Sequence, residues 1–345
     1  MNAISIQRPA FANGGRIRRR LLPLLAVAVT AIVIPAPAQA LVINPTFETG
    51  LSGAAQAVIN AAIGFYQNTF SNNITVNIDF HNMTSGLGAS ESVIYDATYA
   101  DYRSLLTVSA SSSNDFTALA HLPASVPGGG ITIKSADARA VGFNAPGITF
   151  TSTNSGGFCA GSNLDGCIGL NVSNTTIGGG AYSLLNTVEH EIDEVLGLGS
   201  SLLAGNQQYA YKSPEDLFRY SSTGVLSYDL ACNTAAYFSI DGGVTHLNSF
   251  NNCNNGGDYG DWITHTPSQV QDAFTNGTGS SGLTVGSDEV TALDVIGYTL
   301  KQQTTVPEPA GVALFAIGFV GLFMARRRAW HKKNLRLDSR AAMPV

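Results

Sequence analysis

Positive charge is scarcest in the part of the chain expected to fold. Between residues 41 and 306 only six Lys and Arg stand against 22 Asp and Glu, a net of −16. A surface of that sign repels phosphate backbones, so the chain is not expected to bind nucleic acid. Long apolar runs are also lacking: Leu21 to Ile34 and Ala310 to Ala325 are both shorter than the roughly 20 residues of a comfortable membrane span. No Gly-x-Ser-x-Gly elbow is present, which counts against a Ser-His-Asp hydrolase. No internal repeat is evident. Methionine occurs once between residues 41 and 306, at Met83, and Leu198 to Ala210 holds no histidine. What the chain has in abundance is Gly, Ser, Asn and Thr.

The basic residues gather at the two ends. Arg16 to Arg20, the apolar run to Ile34 and the small-residue site Ala38-Gln39-Ala40 have the three parts of a secretory signal. Residues 1–40 are therefore expected to be a signal peptide handled by signal peptidase, with the mature chain starting near Leu41. At the other end Val306-Pro307-Glu308-Pro309 precedes the apolar run and Arg326-Arg327-Arg328. That order resembles a PEP-CTERM sorting signal of Gram-negative bacteria that possess an exosortase. The resemblance implies that exosortase recognises and cuts this tail, and that the protein passes to the cell surface or extracellular matrix. Membrane contact would be confined to residues 307–328, the transmembrane part of the signal. Residues 329–345 would be a basic cytoplasmic tail, longer than is usual.

Residues 41–306 suffice for one sizeable domain, or for two lobes, about 41–200 and 201–306, flanking a cleft. Ala54, Val58, Ala61, Ala62 and Phe65 recur at helical spacing and predict a helix over 51–70. Ile74 to Phe80 alternates as a half-buried strand does. Ile131 to Ala140 reads as a strand leading into a short helix. Ile168 to Val172 reads as a strand beside the central helix, and Asp288 to Gly297 as an amphipathic helix with a glycine stop. In an exported protein Cys159 and Cys167 are expected to close a small loop, and Cys232 and Cys253 to pair.

The chemistry gathers on Thr187-Val188-Glu189-His190-Glu191-Ile192-Asp193-Glu194-Val195-Leu196-Gly197. At about 100° per residue, Leu185, Val188, Ile192, Val195 and Leu196 form one stripe and His190 and Glu194 share the opposite face. Two ligands one turn apart can grip the same ion, and Glu191 beside the first can take a proton from a metal-activated water. The usual second ligand is histidine. Glu194 in its place is an acceptable zinc donor but opens the site to harder metals such as manganese or calcium. The plain alternative is a solvated acidic helix face with one incidental histidine.

The helix is followed by Glu215-Asp216-Leu217-Phe218-Arg219-Tyr220-Ser221, then Ser239-Ile240-Asp241-Gly242-Gly243, then Gly257-Asp258-Tyr259-Gly260-Asp261-Trp262, and last Thr291 to Gly297. In that order they resemble a family of PEP-CTERM-tagged metalloproteases of zincin type, over most of residues 55–300. The resemblance implies an α+β fold, a zincin-like catalytic domain with a mixed sheet, an active-site helix and a Gly/Asn-rich C-terminal part. It implies a secreted zinc endopeptidase acting on protein or peptide substrates, with Glu191 as base and His190 and Glu194 as ligands. In zincins an edge strand runs along the cleft, and Ile168 to Val172 is the candidate for that place. The missing histidine and methionine turn set the chain apart from metzincins. Other zincins draw a third ligand from a later helix. Asp216, 26 residues past His190, fits, with Glu215 beside it; a helix N-terminal carboxylate is the competing reading. His246 and His265 are further candidates. Asp241, Asp258 and Asp261 could hold a structural calcium, although their spacing misses the EF-hand pattern and ordinary turns fit better. The rival to an enzyme is a non-catalytic surface or matrix protein on a degenerate zincin fold.

Overall fold

Two parallel strands open the fold. β1 (Val42–Phe47) lies beside β2 (Thr75–Asn82), with Val42 opposite Thr75 and Phe47 opposite Phe80. The helix α1 (Gly53–Thr69) makes the crossover. Ser52 caps α1 by accepting from the Ala55 amide, satisfying one of the donors a helix start leaves free. The computed structural model describes residues 40–151, 159–177, 182–202, 211–277, 282–302 and 326–327. Residues 1–39 of the expected signal peptide, Val306 to Pro309 and the expected basic tail therefore lie outside the described residues.

Next come β3 (Gly88–Ser92) and β4 (Ile94–Thr98), then α2 (Tyr99–Ser109), α3 (Ser113–His121), β5 (Gly130–Lys134) and α4 (Ser135–Val141). β6 (Ile148–Phe150) pairs antiparallel with β7 (Gly161–Leu164), and β8 (Gly166–Leu170) leads towards α5 (Leu184–Leu196). A short 3-10 turn, Glu215–Phe218, then opens a small antiparallel sheet. Its strands are β9 (Arg219–Ser222), β10 (Val225–Leu226), β11 (Tyr237–Phe238) and β12 (Asn248–Ser249), in the order β10-β9-β11-β12. The last helix, α6 (Asp288–Ile296), stops at Gly297.

The main sheet is mixed and runs β1-β2-β8-β3; β3 alone is antiparallel to its neighbour. The fold is thus α+β with a mixed sheet. The expected edge strand needs correction. The Ile168 segment is β8, interior and buried at every residue, as an apolar run between two neighbours should be. The edge is β3, whose Gly-Ala-Ser-Glu-Ser sequence is half-buried throughout and suits a strand with one open side.

α1 also differs in detail. Its buried stripe is Ala55, Ile59, Ala62, Ile63 and Tyr66, with Ala54 and Ala61 exposed. The helix is rotated from the apolar spacing because Tyr66 anchors it: its hydroxyl lies 2.8 Å from the Glu189 carbonyl and 2.9 Å from Asp193 Oδ1, both on α5. The described residues belong to one compact unit. One principal core runs from Leu41 to Tyr298 and joins the sheet, α1 and α5 to Phe218, Phe238, Phe250 and Trp262. Cys159 is bonded to Cys167, and Cys232 to Cys253.

Candidate metal centre

α5 carries the first two donors. Ser183 caps its start, accepting from the Asn186 amide. Leu184, Val188, Ile192, Val195 and Leu196 enter the core. Gly197, at φ 154°, ends the helix with its N–H on the Asp193 and Glu194 carbonyls. The helix is not half solvated, as an amphipathic stripe predicts. Glu189, Glu191 and Asp193 are buried as well: β3 lies against Glu191, Tyr66 of α1 meets Asp193, and the chain beyond residue 250 folds back over Glu189 and His190 on the outer face. From there Val270 reaches His190 and the Leu283 amide reaches Glu189.

On that outer face three donors converge. His190 Nδ1 donates to the Val270 carbonyl at 2.9 Å, which fixes the ring and leaves Nε2 as the free nitrogen. His190 Nε2 faces Glu194 Oε1 at 3.7 Å and Asp261 Oδ1 at 3.9 Å. One ligating atom from each of the three lies within 4.8 Å of the others. Asp261 is itself held by Gln271, whose side-chain amide donates to Oδ1 at 2.9 Å. One dipeptide, Val270-Gln271, therefore orients two of the three donors. The segment bearing Asp261 is pinned from below by buried Arg219, which donates to the Tyr259 carbonyl and to Asn252 Oδ1 and lies over the Phe250 ring.

The site is short of positive charge. Burial opposes protonation of His190, yet the Asp261, Glu191 and Glu194 carboxylates outweigh it and push the imidazole up to about 10. Burial, reinforced by Glu194 and Asp258, lifts Asp261 to about 7 against the pull of His190 and the Gln271 hydrogen bond. Glu191 is raised well above an ordinary glutamate, by burial first and then by Glu194. Its carboxylate lies against β3, where a Cβ at Gly88 would overlap it. A cleft of about 480 Å³ opens beside His190 and Glu191, lined also by Leu87, Tyr182, Val270 and Phe274. A second, of about 260 Å³, opens beside Glu194 under Ser90, Ser92 and Lys134.

The other expected ligands lie elsewhere. Asp216 does not join this cluster: Oδ1 accepts from Ser200 Oγ at 2.6 Å, and Oδ2 from the Ser201 and Ser213 amides and Ser201 Oγ. It ties the turn after α5 to the 3-10 turn, the structural role weighed against ligation. Glu215 beside it accepts from the Gly199 amide at 2.5 Å. His246 stacks on Tyr237 and meets Ser249 Oγ, and His265 pairs with Asp272 at 2.6 Å. Asp241 accepts from Ser239 and Thr245, as turn-forming aspartates do. Asp261 had the signal of a Gly-flanked acid but stands 71 residues beyond His190, where no spacing rule reaches.

The donor set fits a divalent ion. Tetrahedral zinc with bonds of about 2.0–2.2 Å sets its donors roughly 3.4 Å apart, a few tenths less than the 3.7 and 3.9 Å that separate His190 Nε2 from Glu194 and Asp261. One imidazole and two carboxylates suit zinc or manganese; calcium calls for six to eight oxygens. Among comparisons with known proteins, the PEP-CTERM protein-sorting motif matches residues 305–328. This motif marks an exported protein sorted through the exosortase system, which recognises the C-terminal tail during export. No curated protein and no solved structure matches the chain. Among the described residues no helix is long and apolar enough to cross a membrane.

Proposed function

We propose that this protein is an exported, surface-sorted metal-dependent endopeptidase of zincin-like build. The observation that carries the reading is the convergence of His190, Glu194 and Asp261 beside buried Glu191. Those three would hold the ion, zinc or manganese by donor type. When bound, the ion supplies Lewis-acid activation of water and polarises the scissile carbonyl. Glu191, one residue from the first donor and kept protonatable by burial, takes the proton from water and returns it to the leaving amine. The Val270 carbonyl keeps His190 Nε2 aimed at the site, and Gln271 does the same for Asp261. β3 has no strand on its outer edge among the described residues, and it borders both clefts. An extended peptide adding to that edge would cross the donors with side chains on either side.

The rival, an inert surface protein, requires Glu194 in open solvent and no third donor near His190. Glu194 is only 14 % exposed and Asp261 Oδ1 stands 3.9 Å from His190 Nε2, which favours the enzyme. The test is elemental analysis of the purified full-length chain beside a Glu191→Gln variant, with a peptide library as substrate. Stoichiometric metal is expected in both, with cleavage lowered about 10²–10⁴-fold in the variant. A parent without metal, or a variant as active as the parent, refutes the reading.

A further inference from the structure

A histidine offers a metal one atom in a given orientation, whereas a carboxylate offers two. Replacing the usual second histidine by Glu194 therefore raises the coordination number available to the ion, unless something occupies the second oxygen. Ser90 does. Its Oγ donates to Glu194 Oε2, while Oε1 faces His190 Nε2 at 3.7 Å.

Ser90 is placed by sheet register, opposite Ile168 of β8, so its hydroxyl is not free to wander as on a loop. Two residues earlier on the same face of β3, Gly88 leaves room for Glu191. The edge strand thus meets α5 through a small residue at each working carboxylate: no side chain over the base and a hydroxyl on the ligand. Asp261 differs: the Gln271 amide donates to Oδ1, the same oxygen that faces His190.

We infer that Ser90 is a positioning residue that restricts Glu194 to a single ligating oxygen, so that the carboxylate stands in for an imidazole and a coordination position stays open to substrate. This rests on the metal reading given above. Carboxylates bind cations through one oxygen or both; without the Ser90 hydroxyl, Glu194 Oε2 is free to turn inward and occupy the open position.

Cobalt(II) loaded into the full-length chain tests this, because its visible absorption is intense at four-coordinate sites and weak at six-coordinate ones. Ser90→Ala and Ser90→Val both remove the hydroxyl, and Ser90→Thr keeps it in nearly the shape of the valine variant. Parent and Ser90→Thr are expected to give the intense spectrum. Ser90→Ala and Ser90→Val should give a several-fold weaker one, with cobalt bound at least as tightly. Their kcat should fall by about 10–100-fold, the range of outer-shell substitutions, with KM little changed. If alanine fails to fold, the valine–threonine pair decides alone. A parental spectrum in the hydroxyl-free variants overturns the proposal, as does looser cobalt with an unchanged spectrum, which would make Ser90 a mere prop. A parent that takes up no cobalt instead overturns the metal reading itself.

Discussion

At the scale of single residues, two aspartates on neighbouring turns have opposite fates. Asp261 Oδ1 faces the free nitrogen of His190, whereas both Asp216 oxygens are consumed by serine donors. Asp261→Asn is expected to lower metal affinity by at least about tenfold, measured by competition with a chromophoric chelator. Asp216→Asn should leave that affinity in place but cost about 1–3 kcal/mol of stability, since amides and hydroxyls lose a buried acceptor; urea unfolding measures it. The difference also marks what could be read beforehand. His190, Glu191 and Glu194 share one helix, so a local period puts them together. Asp216 suited a family spacing, but Ser200, Ser201 and Ser213 had equal use for its charge. Asp261 was legible only as one of three acids in Gly- and Asn-rich turns that could hold calcium; nothing local paired it with His190, because its neighbours in space come from α5 and from Gln271.

At the scale of elements, the segment 258–261 is held where backbone meets backbone. A Cβ on Gly260 would run into the main chain of Gly199 and Ser200. Gly260→Ala should therefore destabilise the protein by about 1–3 kcal/mol, as overpacking does, and weaken metal binding as Asp261 is pushed aside. Equal affinity in the variant would show that Asp261 is placed without this contact. The long periodic elements were legible from sequence: α1, β2, the β5–α4 pair, α5 and α6 fall over the residues where apolar spacing put them, though α1 turns a different face inward. Their surroundings were not. Val270, Asp261 and Leu283 approach α5 from far along the chain while β3 and α1 close on Glu191 and Asp193, so a pattern that reads as half-exposed leaves no residue of the helix fully exposed. β3 was weakly signalled because Gly, Ala and Ser carry little strand preference; the same small residues let it lie close to Glu191 and Glu194.

At the scale of the whole molecule, buried acids set the response to pH. Burial raises Glu189 to about 7, helped by Glu289 against the Leu283 hydrogen bond. Glu215 rises to about 8 through burial, against the Gly199 hydrogen bond. Asp294 reaches about 7 through burial and Asp115, against Ser112 and Asn114. For an acid raised on folding, the folded chain holds a proton that the unfolded chain releases. Its contribution is complete below the unfolded value and is lost as pH rises through the folded one. The melting temperature of the chelator-treated protein should accordingly fall between about pH 4.5 and 8, and Glu215→Gln should flatten the upper part of that fall. A melting temperature that climbs over this range would contradict the burial of these groups. The two halves of the donor set, finally, sit far apart along the chain: α5 gives His190 and Glu194, and a loop beyond the small sheet gives Asp261. An ion shared by them would act as a removable cross-link, one whose closure depends on mass action rather than on a covalent bond. At a hundredfold excess over its dissociation constant such a clamp adds about 2.7 kcal/mol, so the trace-metal supply outside the cell would govern how long each exported molecule endures.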